Sequence, residues 1–101
     1  MNNRKDLRYA DNLEEHIHVM SFARELKLKD ISLGGLSFYS PKYEKDDIIL
    51  ITITIPTILQ IFQEKIQIVS DDKESFCRAR FIKPSDEFIT VFKEFMEENY
   101  E

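Results

Sequence analysis

Two arginines near the start of the chain are four positions apart, at Arg4 and Arg8. A guanidinium presents its N–H donors as a planar fork, which suits paired acceptors such as phosphate oxygens or O6 and N7 of guanine. The R-x-x-x-R spacing alone is common, and it suggests an anionic, guanine-containing ligand only together with the second motif at residues 30–35. The alternative is that both arginines belong to a solvated, frayed terminus.

A second polar motif follows at residues 30–35, which read D-x-S-x-x-G. Its fixed positions are Asp30, Ser32 and Gly35, and Gly34 is an additional glycine. The only two glycines of the chain lie here, and glycine permits a tight turn or close approach of a ligand to the backbone. Asp30 and Ser32 could also shape an Asx-type turn, a structural role compatible with ligand binding.

The composition predicts one cytoplasmic domain. The chain has 101 residues, of which 43% are hydrophobic and 33% charged, the balance of a soluble globular protein. No apolar run approaches the roughly 20 residues of a membrane helix, and the first residues lack the apolar region of a signal peptide. The single Cys77 cannot form an internal disulfide, which fits a reducing compartment.

Charge is unevenly distributed along the chain. The net charge of −5 argues against bulk electrostatic binding to DNA, RNA or an anionic membrane. Residues 1–9 nevertheless carry three basic and one acidic side chain, a local +2, whereas residues 85–101 carry six acidic and one basic side chain, a local −5. A small dianion is therefore a more suitable ligand than a long polyanion.

Hydrophobic alternation with a period of two predicts six strands, at 16–23, 26–29, 36–40, 48–55, 60–70 and 76–82. In 48–55, isoleucines at odd positions alternate with Ile48, Leu50 and two threonines, which makes this segment the most deeply buried strand candidate. Turn signals between the strands and the absence of long intervening helices predict a mainly β fold, a six-stranded antiparallel β-barrel.

The period changes at the carboxyl end. Phe88, Phe92, Phe95 and Met96 recur at helical spacing, and Ser85 is a suitable N-cap. These residues predict an amphipathic helix over 85–100 that covers an open end or face of the sheet. A partner-binding helix is the alternative, and the spacing of the phenylalanines favours core packing.

The two motifs, the six predicted strands and the single C-terminal helix resemble the PilZ domain, the bacterial receptor module for the second messenger cyclic di-GMP. The resemblance extends from Arg4 to the final helix. It implies a single domain over 1–101, with a flexible ligand-binding segment at 1–9, the barrel at 15–83 and the helix at 85–100.

The resemblance also implies a divided site for cyclic di-GMP, built from Arg4, Arg8, Asp30, Ser32 and Gly35. The arginines would hold phosphates and the Hoogsteen edges of guanine, the aspartate would accept from guanine N–H groups, and the serine would bond ligand or backbone. The glycine would allow the turn and close ligand approach. Possible secondary contributors are Lys5, Gly34 and Arg80. Arg78 and Arg80 share one face of the last strand and could add to the ligand surface, although alternating arginines of this kind more often form a solvated face.

The remaining polar residues do not indicate a catalytic or metal site. No catalytic motif is present, so we do not expect an enzyme or a cofactor. His16 and His18 have a spacing compatible with a metal site, but no third ligand stands nearby, and a surface or partly buried pair is favoured. Cys77 is expected to be a small core residue. Asn3 stands where relatives that take up a stacked pair of ligands often have arginine, which favours one ligand per domain.

The leading hypothesis is a receptor whose residues 1–9 order onto the barrel when cyclic di-GMP binds, which then changes the surface met by an unidentified partner protein. The second is a PilZ-like adaptor in motility, pilus or exopolysaccharide regulation that acts without nucleotide, through the acidic helix or exposed strand edges. A third, single-stranded nucleic-acid binding, requires a basic groove with stacking aromatics, and the net charge counts against it.

Overall fold

The computed structural model describes residues 16–22, 24–39, 43–71 and 76–99. Within these ranges, six antiparallel strands form a closed barrel followed by a C-terminal helix, which confirms the predicted fold class. The elements are β1 His18–Ser21, β2 Arg24–Ile31, β3 Gly35–Tyr39, β4 Ile48–Ile55, β5 Gln60–Asp71, β6 Cys77–Ile82 and α1 Asp86–Asn99. A short 3-10 helix, Pro56–Ile58, joins β4 to β5.

The strands are arranged around the barrel in the order β1-β2-β3-β6-β5-β4, and β1 pairs with β4 to close it. Each described strand therefore has a hydrogen-bonded neighbour on both sides. The expectation that exposed strand edges could serve as a docking surface was wrong, because closure of a barrel removes its edges.

The first strand is shorter than the predicted span 16–23. Ser21 pairs with Arg24, and between them Phe22 adopts a left-handed conformation with φ of 57°. This tight turn ends β1 and starts β2 two residues earlier than predicted. The positive φ of a non-glycine residue is not visible in hydrophobic alternation, which explains the error.

One face of β4 lies in the core, and the other does not. The isoleucines at 49, 51, 53 and 55 are all buried, whereas Ile48 is 62% exposed and Leu50 is 50% exposed. The prediction that this strand is the most deeply buried was therefore wrong for its second face. In a single-layer barrel, alternate side chains point away from the interior.

The helix packs its apolar face into the barrel, as its spacing predicted. Phe88, Phe92, Phe95 and Met96 are all at most 2% exposed. The ring of Phe88 lies 5.3 Å from that of Phe62 in β5 and 5.0 Å from that of Phe81 in β6. Helix α1 thus closes the end of the barrel where β5 begins and β6 ends.

A polar contact fixes the start of this helix. Ser85 Oγ accepts a hydrogen bond from the Phe88 N–H at 3.1 Å, which confirms the predicted N-cap. The same hydroxyl donates to Glu64 Oε2 at 2.8 Å, and the Ser85 N–H also lies 3.3 Å from Glu64 Oε1. Glu64 is only 6% exposed, so these donors compensate for burying its carboxyl group beside the positive end of the helix dipole.

The substitution Ser85→Ala is expected to lower the free energy of unfolding by about 1–2 kcal/mol, because it removes the N-cap and one partner of a buried carboxyl group. Urea unfolding followed by far-ultraviolet circular dichroism measures this. The matched control is Thr90→Ala, at an exposed helical position, where a change within about 0.5 kcal/mol is expected. Equal stability of the two variants would contradict the anchoring role of Ser85.

Candidate functional site

The D-x-S-x-x-G motif forms the turn between β2 and β3. Ser32 is 1% exposed, and its N–H donates to the Gly35 carbonyl at 2.8 Å. Its hydroxyl donates to the same carbonyl at 3.3 Å and accepts from the Gly34 N–H at 3.3 Å. Of the two roles predicted for Ser32, these contacts support the bonding of backbone: the side chain holds the turn in place.

Gly35 has a structural role that the sequence did not predict, and one of its two predicted roles, the turn geometry, does not require glycine. Neither glycine has a positive φ, so the turn geometry does not demand glycine. A Cβ at Gly35 would instead collide with the carbonyl oxygen of Ala79 and lie 3.1 Å from Arg80 Cα. Glycine at this position allows the backbone of β3 to approach that of β6.

A cavity of about 560 Å³ lies on the outer wall of the barrel beside this turn. Gly35 and Ser37 line it from β3, and both are buried although the intervening Leu36 points into the core. The register places Gly35 opposite Arg80, and Ser37 opposite Arg78 on one side and Asp30 on the other. The small residues of β3 therefore leave space between the longer side chains of its neighbours, β2 and β6. The volume is within the usual range for ligand pockets, roughly 300–1,000 Å³.

Irregularities in two strands shape the sides of the cavity. The register of β2 shifts between Leu28 and Asp30, and that of β5 shifts between Ile68 and Ser70. The residues within these shifts, Lys29 and Val69, both line the cavity. A bulge bends its strand and redirects side chains, and bulges are enriched near functional sites.

The charged side chains that line the cavity are Lys29, Arg78, Arg80 and Asp30. Three positive charges and one negative charge give a local +2, in a chain whose net charge is −5. Arg80 Nη2 donates to Gln67 Oε1 at 2.7 Å, which holds the guanidinium in place. The cavity wall is thus suited to an anion.

An aromatic ring lies among these cations. Lys29 Nζ is 4.6 Å from the ring centroid of Phe76, and the guanidinium carbon of Arg78 is 5.8 Å from it. The Tyr39 ring meets the Phe76 ring nearly perpendicularly, with centroids 6.4 Å apart. Sequence reasoning missed Phe76 and Lys29. The period-two spacing of Phe76, Arg78 and Arg80 was a signal that could have identified the phenylalanine.

The structure brings together one half of the predicted site. Asp30, Ser32, Gly34, Gly35 and Arg80 all line the cavity. Arg4, Lys5 and Arg8, together with Asn3, lie outside the described residues, so their contribution stays a prediction.

The two histidines and Cys77, which were considered as reactive or metal-binding residues, do not line the cavity. His18 Nδ1 lies 3.1 Å from Glu25 Oε2 across the β1–β2 hairpin, and the His16 ring lies 6.4 Å from that of Phe95. Cys77 is fully buried in the core, as predicted. In the described part of the chain, no three or more histidine, cysteine, aspartate or glutamate side chains are grouped to hold a metal. Among the same residues, no helix is long and apolar enough to cross a membrane.

Replacing Gly35 by alanine is expected to destabilise the barrel by about 1–3 kcal/mol, because the added methyl group forces β3 away from β6. The control is Gly34→Ala, at an exposed position without positive φ, where a smaller loss is expected. Urea unfolding of both variants provides the measurement. A Gly35→Ala variant as stable as the control would show that the two backbones do not need this close approach.

Comparisons with known proteins support the fold alone. No protein-family model matches the chain, and no curated protein matches it. The chain is similar in structure to an uncharacterized protein of Legionella, known from its crystal structure, with a TM-score of 0.73 and 12% sequence identity. That similarity covers 94% of this chain and 99% of the Legionella chain.

Proposed function

We propose that this chain is a bacterial, cytoplasmic receptor domain for cyclic di-GMP, and that its output is a change of shape rather than a reaction. One observation carries the proposal. The D-x-S-x-x-G turn borders a cavity whose lining has a local charge of +2, although the whole chain has a net charge of −5. Such a cavity concentrates small anions at one place on a protein that otherwise repels them.

The chemistry of the ligand fits the groups on the cavity wall. Cyclic di-GMP has two phosphates and two guanine bases, and a guanidinium can engage phosphate oxygens or the adjacent O6 and N7 acceptors of guanine. Arg78 and Arg80 supply two such forks, and Gln67 already orients the second. Asp30 adds a carboxylate that can accept hydrogen bonds from guanine N–H groups.

Residues 1–9 supply the other half of the proposed site. Arg4 and Arg8 would close over the ligand from the side opposite the barrel wall, so that binding orders this segment against β2 and β3. Charge-assisted hydrogen bonds offset the entropy lost on ordering. The altered surface would then be recognised by a downstream protein in a signalling pathway.

Isothermal titration with cyclic di-GMP tests this function. We expect saturable binding of one ligand per chain, weakened by about 1–3 kcal/mol, or roughly 5- to 150-fold, in Arg80→Gln and in Arg8→Ala. Arg8→Lys should lose almost as much, since lysine lacks the fork. The matched control is Arg24→Gln, which removes the same charge from an exposed position outside the cavity.

Two results would refute the proposal: no heat from the wild-type protein, or identical affinities of the wild type and the Arg8 and Arg80 variants. Two further ligands define specificity. Cyclic di-AMP should bind more weakly, because adenine lacks the two adjacent acceptors of guanine. A random single-stranded oligonucleotide that binds more tightly than cyclic di-GMP would favour nucleic-acid recognition instead.

A nucleotide-independent adaptor is the second candidate, and the outer face of β4 favours it. Ile48 and Leu50 are exposed there, opposite Gln67 and Lys65 of β5. A partner whose binding is abolished by Leu50→Asp, but unaffected by Arg80→Gln and by cyclic di-GMP, would support the adaptor and oppose the receptor.

A further inference from the structure

Phe76 is the aromatic ring of the cavity, and its environment is unusual for a hydrophobic side chain. It is half-buried, precedes β6 directly and has the exposed Lys29 ammonium over its ring at 4.6 Å. Arg78 approaches the same ring at 5.8 Å. The ring therefore lies at the cavity wall under cations, not in the core.

Two groups could contact the face of this ring, an ammonium or a nucleobase, and they differ in how strongly they bind it. An exposed ammonium gains little from an aromatic ring, because water competes for it. A nucleobase stacked on an aromatic side chain gains more, and every base has a face that can stack. Exchange of the ammonium for a base is therefore favourable, provided that the ammonium finds another partner.

The ligand itself offers that partner. Lys29 lies in the bulge of β2, next to Asp30, and its flexible side chain is exposed. A phosphate in a cavity that Arg78 and Arg80 also line would attract the ammonium, because an ion pair with phosphate is stronger than a contact with a neutral ring.

We propose that Phe76 is the base-stacking platform of the cavity, and that Lys29 covers its ring until a nucleotide base displaces it and the ligand phosphate takes up the ammonium. This inference rests on the proposed function for the identity of the base as guanine. It adds a barrel-wall anchor that is independent of the two N-terminal arginines.

Titrations of the full chain with cyclic di-GMP and with GMP test the platform. Phe76→Leu should lower the affinity for both ligands roughly tenfold, because it keeps an apolar side chain but removes the stacking face. Phe76→Tyr should restore binding, since tyrosine retains the face. The matched control is Phe22→Leu, which removes a 94% exposed ring outside the cavity and should bind as wild type. Circular dichroism confirms that each variant is folded.

Two further measurements test the role of Lys29. Lys29→Gln should weaken binding and reduce its salt dependence, whereas Lys27→Gln, an exposed lysine of the same strand outside the cavity, should do neither. In the free protein, the ring current of Phe76 should shift the Lys29 ε-methylene proton resonances, and ligand should remove that shift. Tighter binding by Lys29→Gln would overturn the exchange, since it would mean that the lysine only blocks the ring.

The outcomes separate this inference from the proposed function. If cyclic di-GMP binds and Arg80→Gln weakens its binding, but Phe76→Leu binds it as wild type does, the stacking role of Phe76 is refuted and the receptor function is supported. If GMP binds through Phe76 but cyclic di-GMP does not bind, the receptor is wrong and the platform stands. If neither ligand binds, both are wrong.

Discussion

The close approach of β3 to β6 is the constraint on which the rest of the structure depends. These strands are far apart in the chain, and their pairing completes the wall that contains the site. The Ala79 carbonyl lies where a Cβ of Gly35 would be, so only glycine permits the contact. The same register places Gly35 opposite Arg80 and Ser37 opposite Arg78. The pairing of β3 with β6 therefore also assembles the cavity.

In this barrel, side chains that point inward stabilise the fold, whereas those that point outward are available for recognition. Inward-facing residues of the strands and four apolar residues of α1 fill the interior, and the contact between Ser85 and Glu64 holds the helix over the end. Because the described core residues occupy the interior, the proposed ligand site lies on the outer wall. There, the small side chains of β3 create space that a row of large residues would fill. This is why a cavity exists at this place on the outside of the barrel.

Electrostatics and preorganisation then favour one class of ligand. A cavity with a local charge of +2 attracts small anions to an acidic protein, while the net charge of −5 opposes the binding of long polyanions. The hydrogen bond from Arg80 to Gln67 reduces the entropy lost when the guanidinium meets a ligand. Phe76, which has the Lys29 ammonium 4.6 Å from its ring centroid, adds the aromatic face that we propose for base stacking.

The sequence by itself determined the features that depend on neighbours along the chain. Alternation predicted six strands, helical spacing predicted α1 and its burial, and Ser85 was recognisable as the N-cap. The motif at 30–35 was recognised as a turn beside a candidate site, whereas Arg4 and Arg8 stay predictions. Only the tertiary structure decided the bulge at Lys29, the reason for Gly35, the exposure of the outer face of β4 and the meeting of Phe76 with Lys29. These depend on which residues of distant strands pair, and pairing register is set by packing of the whole barrel rather than by local periodicity.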